Sequence, residues 1–200
     1  MRILFPIAVM FMVFTSFTCS KNLTDYYPDP ATNGVAIFSD QGFNLMTCLL
    51  DNQGWKTRDR YSYAFPPTSF EVNLSTDNSD PIADTLHIRW FGALTNSNGN
   101  SDEVELVLPV HKSFKAVELS GLQGQRIELK GPAGYVNVVI ASSGQRLRGT
   151  GRVYFNRFHF EQGGVSQNLM AGLFDADLGT IKIKSGRFDH ELDARVVNIP

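Results

Sequence analysis

The chain has 200 residues and a formal net charge of −2 at pH 7, with 18 Lys and Arg against 20 Asp and Glu. Basic and acidic residues are interspersed along the chain without a basic block, which argues against an electrostatic nucleic-acid interface. The two cysteines, Cys19 and Cys48, are too few for the disulfide framework of a cysteine-rich exported protein.

The first 18 residues have the layout of a secretory signal peptide. Arg2 precedes an uncharged apolar run at residues 3–14, and a short polar segment then leads into Cys19. Roughly 20 apolar residues are needed to span a bilayer, so this run is too short for a transmembrane helix. We therefore predict that residues 1–18 form a signal helix that is cleaved on export, in preference to a helix buried in the fold.

The residues around Cys19 predict a lipid anchor. Ser16-Phe17-Thr18-Cys19 resembles a lipobox, the site where lipoprotein signal peptidase cuts before a cysteine that becomes acylated, although Leu is usual where Ser16 stands. Residues 19–33 are polar and contain prolines, which predicts a tether. The resemblance implies a lipid on Cys19. Cys48 is then left alone in an apolar strand as a small buried residue. The alternative is a Cys19–Cys48 disulfide in an unlipidated protein.

After this leader, apolar and polar residues alternate with a period of two, which is typical of half-buried β-strands. A helical turn is predicted only near residues 113–119, and turn-forming residues separate the strands. The pattern predicts one all-β domain over residues 34–200, an antiparallel β-sandwich or barrel-like meander of roughly ten short strands. The predicted strands before residue 168 are 35–39, 43–50, 68–75, 85–91, 103–110, 125–130, 135–141 and 152–160.

The last third of the chain predicts three strands within residues 168–192, joined by turns at residues 177–179 and 185–186. It contains Gly172-Leu173-Phe174 and a run ending in Gly186-Arg187-Phe188-Asp189. With the early turn at residues 50–55, these motifs resemble a group of small uncharacterised lipoproteins of Gram-negative bacteria, although Gln53 interrupts the early Asn-Gly. The resemblance implies an envelope lipoprotein with a β domain, and it implies no catalytic residue.

The sequence lacks the common catalytic and cofactor-binding motifs. It has no Gly-x-Ser-x-Gly, no P-loop and no His-Glu-x-x-His, and its four histidines have no spacing typical of metal ligands. We therefore predict a non-catalytic protein without a cofactor. A hydrolase that uses two carboxylates stays open as an alternative, because the sequence does not give the distance between them.

Acidic residues alternate on the last two strands. Asp175 and Asp177 share a face of one strand, and Asp189, Glu191 and Asp193 share a face of the next. If the two faces adjoin, Asp175, Asp177, Asp189 and Glu191 could hold a hard cation such as Ca²⁺. The alternative, which we favour, is a solvated acidic face balanced by nearby basic residues, Lys182, Lys184 and Arg187.

Aromatic residues in "RVYFNRFHF" offer a candidate ligand surface. Strict alternation sets Tyr154, Phe158 and Phe160 on one side of the strand, opposite Phe155. If that side is exposed, it could bind a sugar or a peptide together with Tyr61 and Tyr63. The alternative, which we again favour, is that both sides of the strand are covered.

These patterns predict an exported protein, periplasmic or on the cell surface and anchored to the outer membrane, that acts as a non-catalytic binding or assembly module. The expected partners are the membrane, through the N-terminal lipid, and a glycan, a peptide or another envelope protein; nucleic acid is not expected. Besides the hydrolase, a barrel carrier of a small apolar ligand is an alternative. A closed interior cavity would favour the carrier, and an exposed aromatic surface would favour the binding module.

Overall fold

The computed structural model describes residues 28–58, 69–76, 82–95, 101–161, 163, 167–193 and 195–200. These residues form eleven strands and a short 3₁₀ helix, Ala116–Leu122, near the predicted helical turn. The predicted all-β class is therefore confirmed. The strands are β1 (Leu45–Leu50), β2 (Gln53–Thr57), β3 (Phe70–Ser75), β4 (Ala83–Leu94), β5 (Asp102–His111), β6 (Arg126–Leu129), β7 (Tyr135–Ile140), β8 (Gln145–His159), β9 (Leu169–Asp177), β10 (Lys182–Glu191) and β11 (Val197–Asn198).

Eight of the strands close into a barrel, which decides between the two predicted architectures. The order around the ring is β4, β2, β1, β10, β9, β8, β7 and β5, and β5 pairs with β4 to complete it. Every pairing within the ring is antiparallel. Closure leaves none of these eight strands as a free sheet edge.

The two longest strands each pair with two partners along one edge. β4 pairs with β3 through Thr85–Trp90 and with β2 through residues 92–94. β8 pairs with β7 through residues 145–149 and with β6 through residues 151–154. The short strand β11 adds to β3 in parallel. β6, which pairs with β8, extends the outer face of the sheet formed by β8 and β9.

Alternate side chains of the ring strands fill the barrel interior. Leu86, Ile88 and Trp90 of β4 are fully buried, as their spacing predicted. Trp90 stacks on Phe174 with ring centroids 5.8 Å apart and lies 5.3 Å from Phe188. Burial of each large apolar side chain contributes roughly 1.5–3 kcal/mol. The largest fully buried residues are Trp55, Trp90, Phe155, Phe158 and Phe188.

Glycines on the barrel strands allow the aromatic side chains of the core to pack against the backbone. A Cβ added to Gly172 would lie 2.5 Å from Cζ of Phe188 and would also meet the carbonyl oxygen of Tyr154. A Cβ on Gly186 would collide with the ring of Phe174. The Gly-x-Phe spacing in the last third of the chain therefore reflects core packing.

The structure corrects two predictions about the strands near the C-terminus and the N-terminus. No turn occurs at residues 185–186, because β10 continues through a β-bulge at Ser185, whose φ is 52°. Residues 35–39 form no strand, and only Ala36 makes a β-bridge, to Pro28. Both edges of β1 are already paired with β2 and β10, so this segment crosses the outer face of those strands instead of adding to an edge.

Candidate functional site

The candidate site lies on the outer face of β6, β8, β9 and β10. Antiparallel pairing sets Arg126 opposite Tyr154, Tyr154 opposite Leu173, and Leu173 opposite Arg187. These four side chains form a row because directly paired residues point to the same side of a sheet. Tyr154 and Leu173 are 39% and 41% exposed, so apolar surface meets solvent between two arginines. The row lines a groove of about 620 Å³.

Charged residues beside this row form ion pairs, two of them across neighbouring strands. These two follow from the register, which sets Arg152 opposite Asp175 and Lys182 opposite Asp177. A third ion pair joins Lys130 to Glu128, and the hydrogen bond from the Lys130 ammonium lowers the pKa of Glu128. The N–O distances are 2.6 Å for Arg152–Asp175, 3.2 Å for Lys182–Asp177 and 3.1 Å for Lys130–Glu128.

Cations outnumber anions on this surface, which we call the basic face. Its anions are the three carboxylates of these ion pairs and Asp29, which pairs with Arg187, so its six cations leave an excess of two positive charges. The chain as a whole carries a net charge of −2, so the fold concentrates positive charge here. The cations are Arg126, Lys130, Arg152, Lys182, Lys184 and Arg187.

The first described residues join the basic face at its edge. Nη1 of Arg187 lies 2.6 Å from Oδ2 of Asp29 and donates a 2.7 Å hydrogen bond to the carbonyl oxygen of Ala36. The N–H of Ala36 donates in turn to Oγ1 of Thr47 in β1. The end of the predicted tether therefore contacts the barrel beside the groove.

The structure contradicts the aromatic surface predicted from alternation in β8. A β-bulge shifts the register between Phe155 and Arg157, so the side chains reverse their faces beyond that point. Phe158 and Phe160 are consequently buried in the core, and Phe158 packs 5.1 Å from Phe155. Of the predicted ligand-binding residues, Tyr154 is exposed. Tyr61 and Tyr63 lie outside the described residues.

The structure does not bring the four carboxylates of the predicted cation site together, because they lie at opposite ends of the antiparallel pair β9 and β10. Asp175 and Asp177 pair with Arg152 and Lys182 on the basic face. Asp189 accepts backbone hydrogen bonds, and Glu191 accepts one from Gln167, at the far end of β10. Among the residues that the structure describes, no three His, Cys, Asp or Glu side chains are placed to hold a metal ion.

A second polar cluster, on β4, β5 and β7, was not predicted from the sequence. Oε1 of Glu105 lies 2.8 Å from Nδ1 of His87 and 2.7 Å from Nε of Arg89, and Oε2 lies 2.7 Å from Nδ2 of Asn137. Burial opposes the ionisation of Glu105, but these hydrogen bonds outweigh it and lower its pKa to about 2. A carboxylate that is ionised and fully bonded at neutral pH is unsuited to act as a general acid.

The two cysteines are in different situations. Cys48 is fully buried as a free thiol in β1, as predicted, and burial raises the pKa of that thiol. Cys19 and the predicted signal helix lie outside the described residues. Within the described part of the chain, no helix is long and apolar enough to cross a membrane.

Comparisons of the chain with models of protein families, with curated proteins and with solved structures give no match. The site therefore has to be interpreted from its own geometry and charge. An exposed apolar pair ringed by cations is suited to bind a surface or molecule that carries negative charge.

Proposed function

We propose that this protein is an exported, lipid-anchored envelope protein of the outer membrane whose β-barrel acts as a non-catalytic binding module. Its binding surface is the basic face. The observation that carries the proposal is the exposed Tyr154–Leu173 pair, which lies in one row between Arg126 and Arg187. Apolar surface exposed among charged groups is characteristic of an interaction site.

The leader and the entry point of the chain support the anchor. The uncharged run at residues 3–14 ends in the lipobox-like residues before Cys19, and polar residues follow. The chain then reaches the barrel through Asp29, at the edge of the basic face. A tether that ends beside the binding surface would keep that surface close to the anchored lipid.

The two alternative functions have less support. The apolar carrier needs an interior cavity, but the barrel interior holds packed side chains such as Trp90 and Phe188. The hydrolase needs two carboxylates across a cleft, but the carboxylates beside the groove are engaged by Arg152, Lys182 and Lys130.

Palmitate labelling tests the anchor. Cys19→Ala should abolish incorporation of labelled palmitate in the producing cell, because the thiol that receives the lipid is gone. Cys48→Ala, which removes the other thiol, should leave the labelling intact. Unchanged labelling of Cys19→Ala would refute the anchor.

Protection of an introduced thiol tests the binding surface. Thr150 is exposed on the basic face, and Ser75 is exposed on β3. β3 pairs with β4, which lies four strands from β9 in either direction around the barrel. A small maleimide should label Thr150→Cys more slowly in cells than in the purified protein, whereas Ser75→Cys should react alike in both. Equal rates for Thr150→Cys in both settings would refute the proposed surface.

A further inference from the structure

The point at which the chain enters the barrel sets how far the basic face can lie from an anchored lipid. Pro28, the first described residue, lies nine residues after Cys19. Nine residues span at most about 30 Å when fully extended. Because Asp29 is fixed to Arg187 at the edge of the basic face, a lipid on Cys19 holds this face within that distance of the membrane surface.

The charge of the face complements a membrane that contains acidic lipids. Its six cations exceed its four anions, and three of the cations, Arg126, Arg152 and Arg187, line the groove. An anionic membrane attracts basic residues that lie within about one Debye length, roughly 8–10 Å at physiological ionic strength. The tether permits the edge of the face to approach the bilayer to within this distance, where the attraction can hold it.

The exposed apolar pair at the centre of the face suits the interfacial region of a bilayer. Tyr154 and Leu173 are directly paired on adjacent strands, and both are exposed in the groove. A tyrosine has an apolar ring and a polar hydroxyl, which is the combination that favours the depth of the lipid headgroups. Arg126 beside the pair, whose side chain is 61% exposed, can donate hydrogen bonds to phosphate oxygens at the same depth.

We propose that the basic face docks onto the acidic phospholipid headgroups of the membrane that carries the anchor, with Tyr154 and Leu173 entering the interfacial region. This inference rests on the proposed function, because it uses the lipid on Cys19 to bring the face to the bilayer. It also names the partner of the binding surface: a membrane surface rich in lipid phosphates.

Depth-dependent fluorescence quenching tests the docking. The acylated protein with Thr150→Cys carries an environment-sensitive fluorophore at residue 150, which leaves Tyr154, Leu173 and every charge intact. Cys48 does not compete for the dye, because it is fully buried. The protein is reconstituted in vesicles of phosphatidylcholine alone or mixed with phosphatidylglycerol, each containing a lipid with a quencher in its headgroup. The matched control carries the dye at Ser75→Cys.

Docking predicts that the probe at residue 150 is quenched at least about threefold more in phosphatidylglycerol vesicles than the probe at residue 75. Salt at about 0.5 M should remove the difference, because it screens exposed charges over a few ångströms. Lys182→Gln with Lys184→Gln should weaken the quenching, whereas Lys182→Arg with Lys184→Arg should retain it. All of these variants should keep the barrel, since both lysines are exposed.

Two outcomes would overturn the docking. One is equal quenching of the two probes, or quenching that does not depend on phosphatidylglycerol. The other is a probe at residue 150 that the lipid quencher does not quench, but that soluble polygalacturonate protects from a quencher in the aqueous phase. That result would identify an acidic glycan as the partner of the face. The palmitate experiment separates this proposal from the anchor. If Cys19→Ala abolishes labelling and either of these outcomes is also found, the anchor is supported and only the docking is refuted.

Discussion

Oδ1 of Asp189 accepts a 2.7 Å hydrogen bond from the backbone N–H of Gly42, 147 residues earlier in the chain. Oδ2 of the same carboxylate accepts bonds of 3.1 Å and 3.3 Å from the N–H groups of Gln41 and Phe43. One buried side chain thus fixes the turn before β1 to β10, where the first and last ring strands pair.

Asp189→Ala should therefore lower the free energy of unfolding by about 3 kcal/mol, because it leaves the buried N–H of Gly42 and the partly buried N–H groups of Gln41 and Phe43 without this acceptor. Urea unfolding monitored by tryptophan fluorescence measures the change. The matched control is Asp177→Ala on the basic face, where the carboxylate is exposed and we expect a loss below about 1 kcal/mol. Equal losses in the two variants would contradict this role of Asp189.

His190 should make the protein less stable in mild acid. Its ring is fully buried and stacks on Phe70 at 4.4 Å, and burial lowers its pKa from 6.5 to about 3. The unfolded chain therefore binds one more proton than the folded chain between pH 6.5 and 3. Stability should fall as the pH decreases through this window, by at most about 5 kcal/mol.

Urea unfolding at several pH values in this window measures the effect. His190→Phe keeps an aromatic ring against Phe70 and removes the titrating group, so its stability should change less with pH. His111→Gln changes an exposed histidine whose pKa is raised by the Lys112 carbonyl and Glu118, and it should not remove the fall in stability between pH 6.5 and 3. An unchanged slope in His190→Phe would show that other groups cause the acid sensitivity.

The bulge in β8 predicts opposite effects for two neighbouring aromatic residues. Phe158→Ala should destabilise the fold by about 4 kcal/mol, because Phe158 is 0% exposed and its removal leaves a cavity. Tyr154→Ala should cost less than about 1 kcal/mol, because Tyr154 is 39% exposed on the basic face and its removal opens no cavity in the core. Thermal or urea unfolding distinguishes them. Strict alternation through residues 154–160 would instead give both residues similar losses.

Gly172 should tolerate no side chain. Gly172→Ala places a methyl group 2.5 Å from Cζ of Phe188, so the ring or β9 must shift, and we expect a loss of about 2 kcal/mol or more. Gly121→Ala is the matched control, because a Cβ there meets no atom within 4 Å. Equal unfolding midpoints for the two variants would show that the core near Phe188 is loosely packed.

Several errors of sequence analysis have one physical cause: the period of two holds only while a strand is regular. β4 is regular, and the inward positions of Leu86, Ile88 and Trp90 were predicted from their spacing. β8 and β10 contain bulges, and Phe158 and the residues near Ser185 were assigned wrongly. A bulge is stabilised by contacts with neighbouring strands, so a single strand's sequence does not reveal it.

The amino-acid sequence by itself determined the class of the fold, since alternating apolar residues and frequent turns can bury a core only as β-sheet. It also gave the features at Cys19 on which the proposed anchor rests. Tertiary structure decided that the sheet closes into a barrel with a filled interior. It also assembled the basic face, because Arg126, Arg152, Leu173 and Arg187 come from four strands. Interspersed charges become a patch only when strand register sets distant residues side by side.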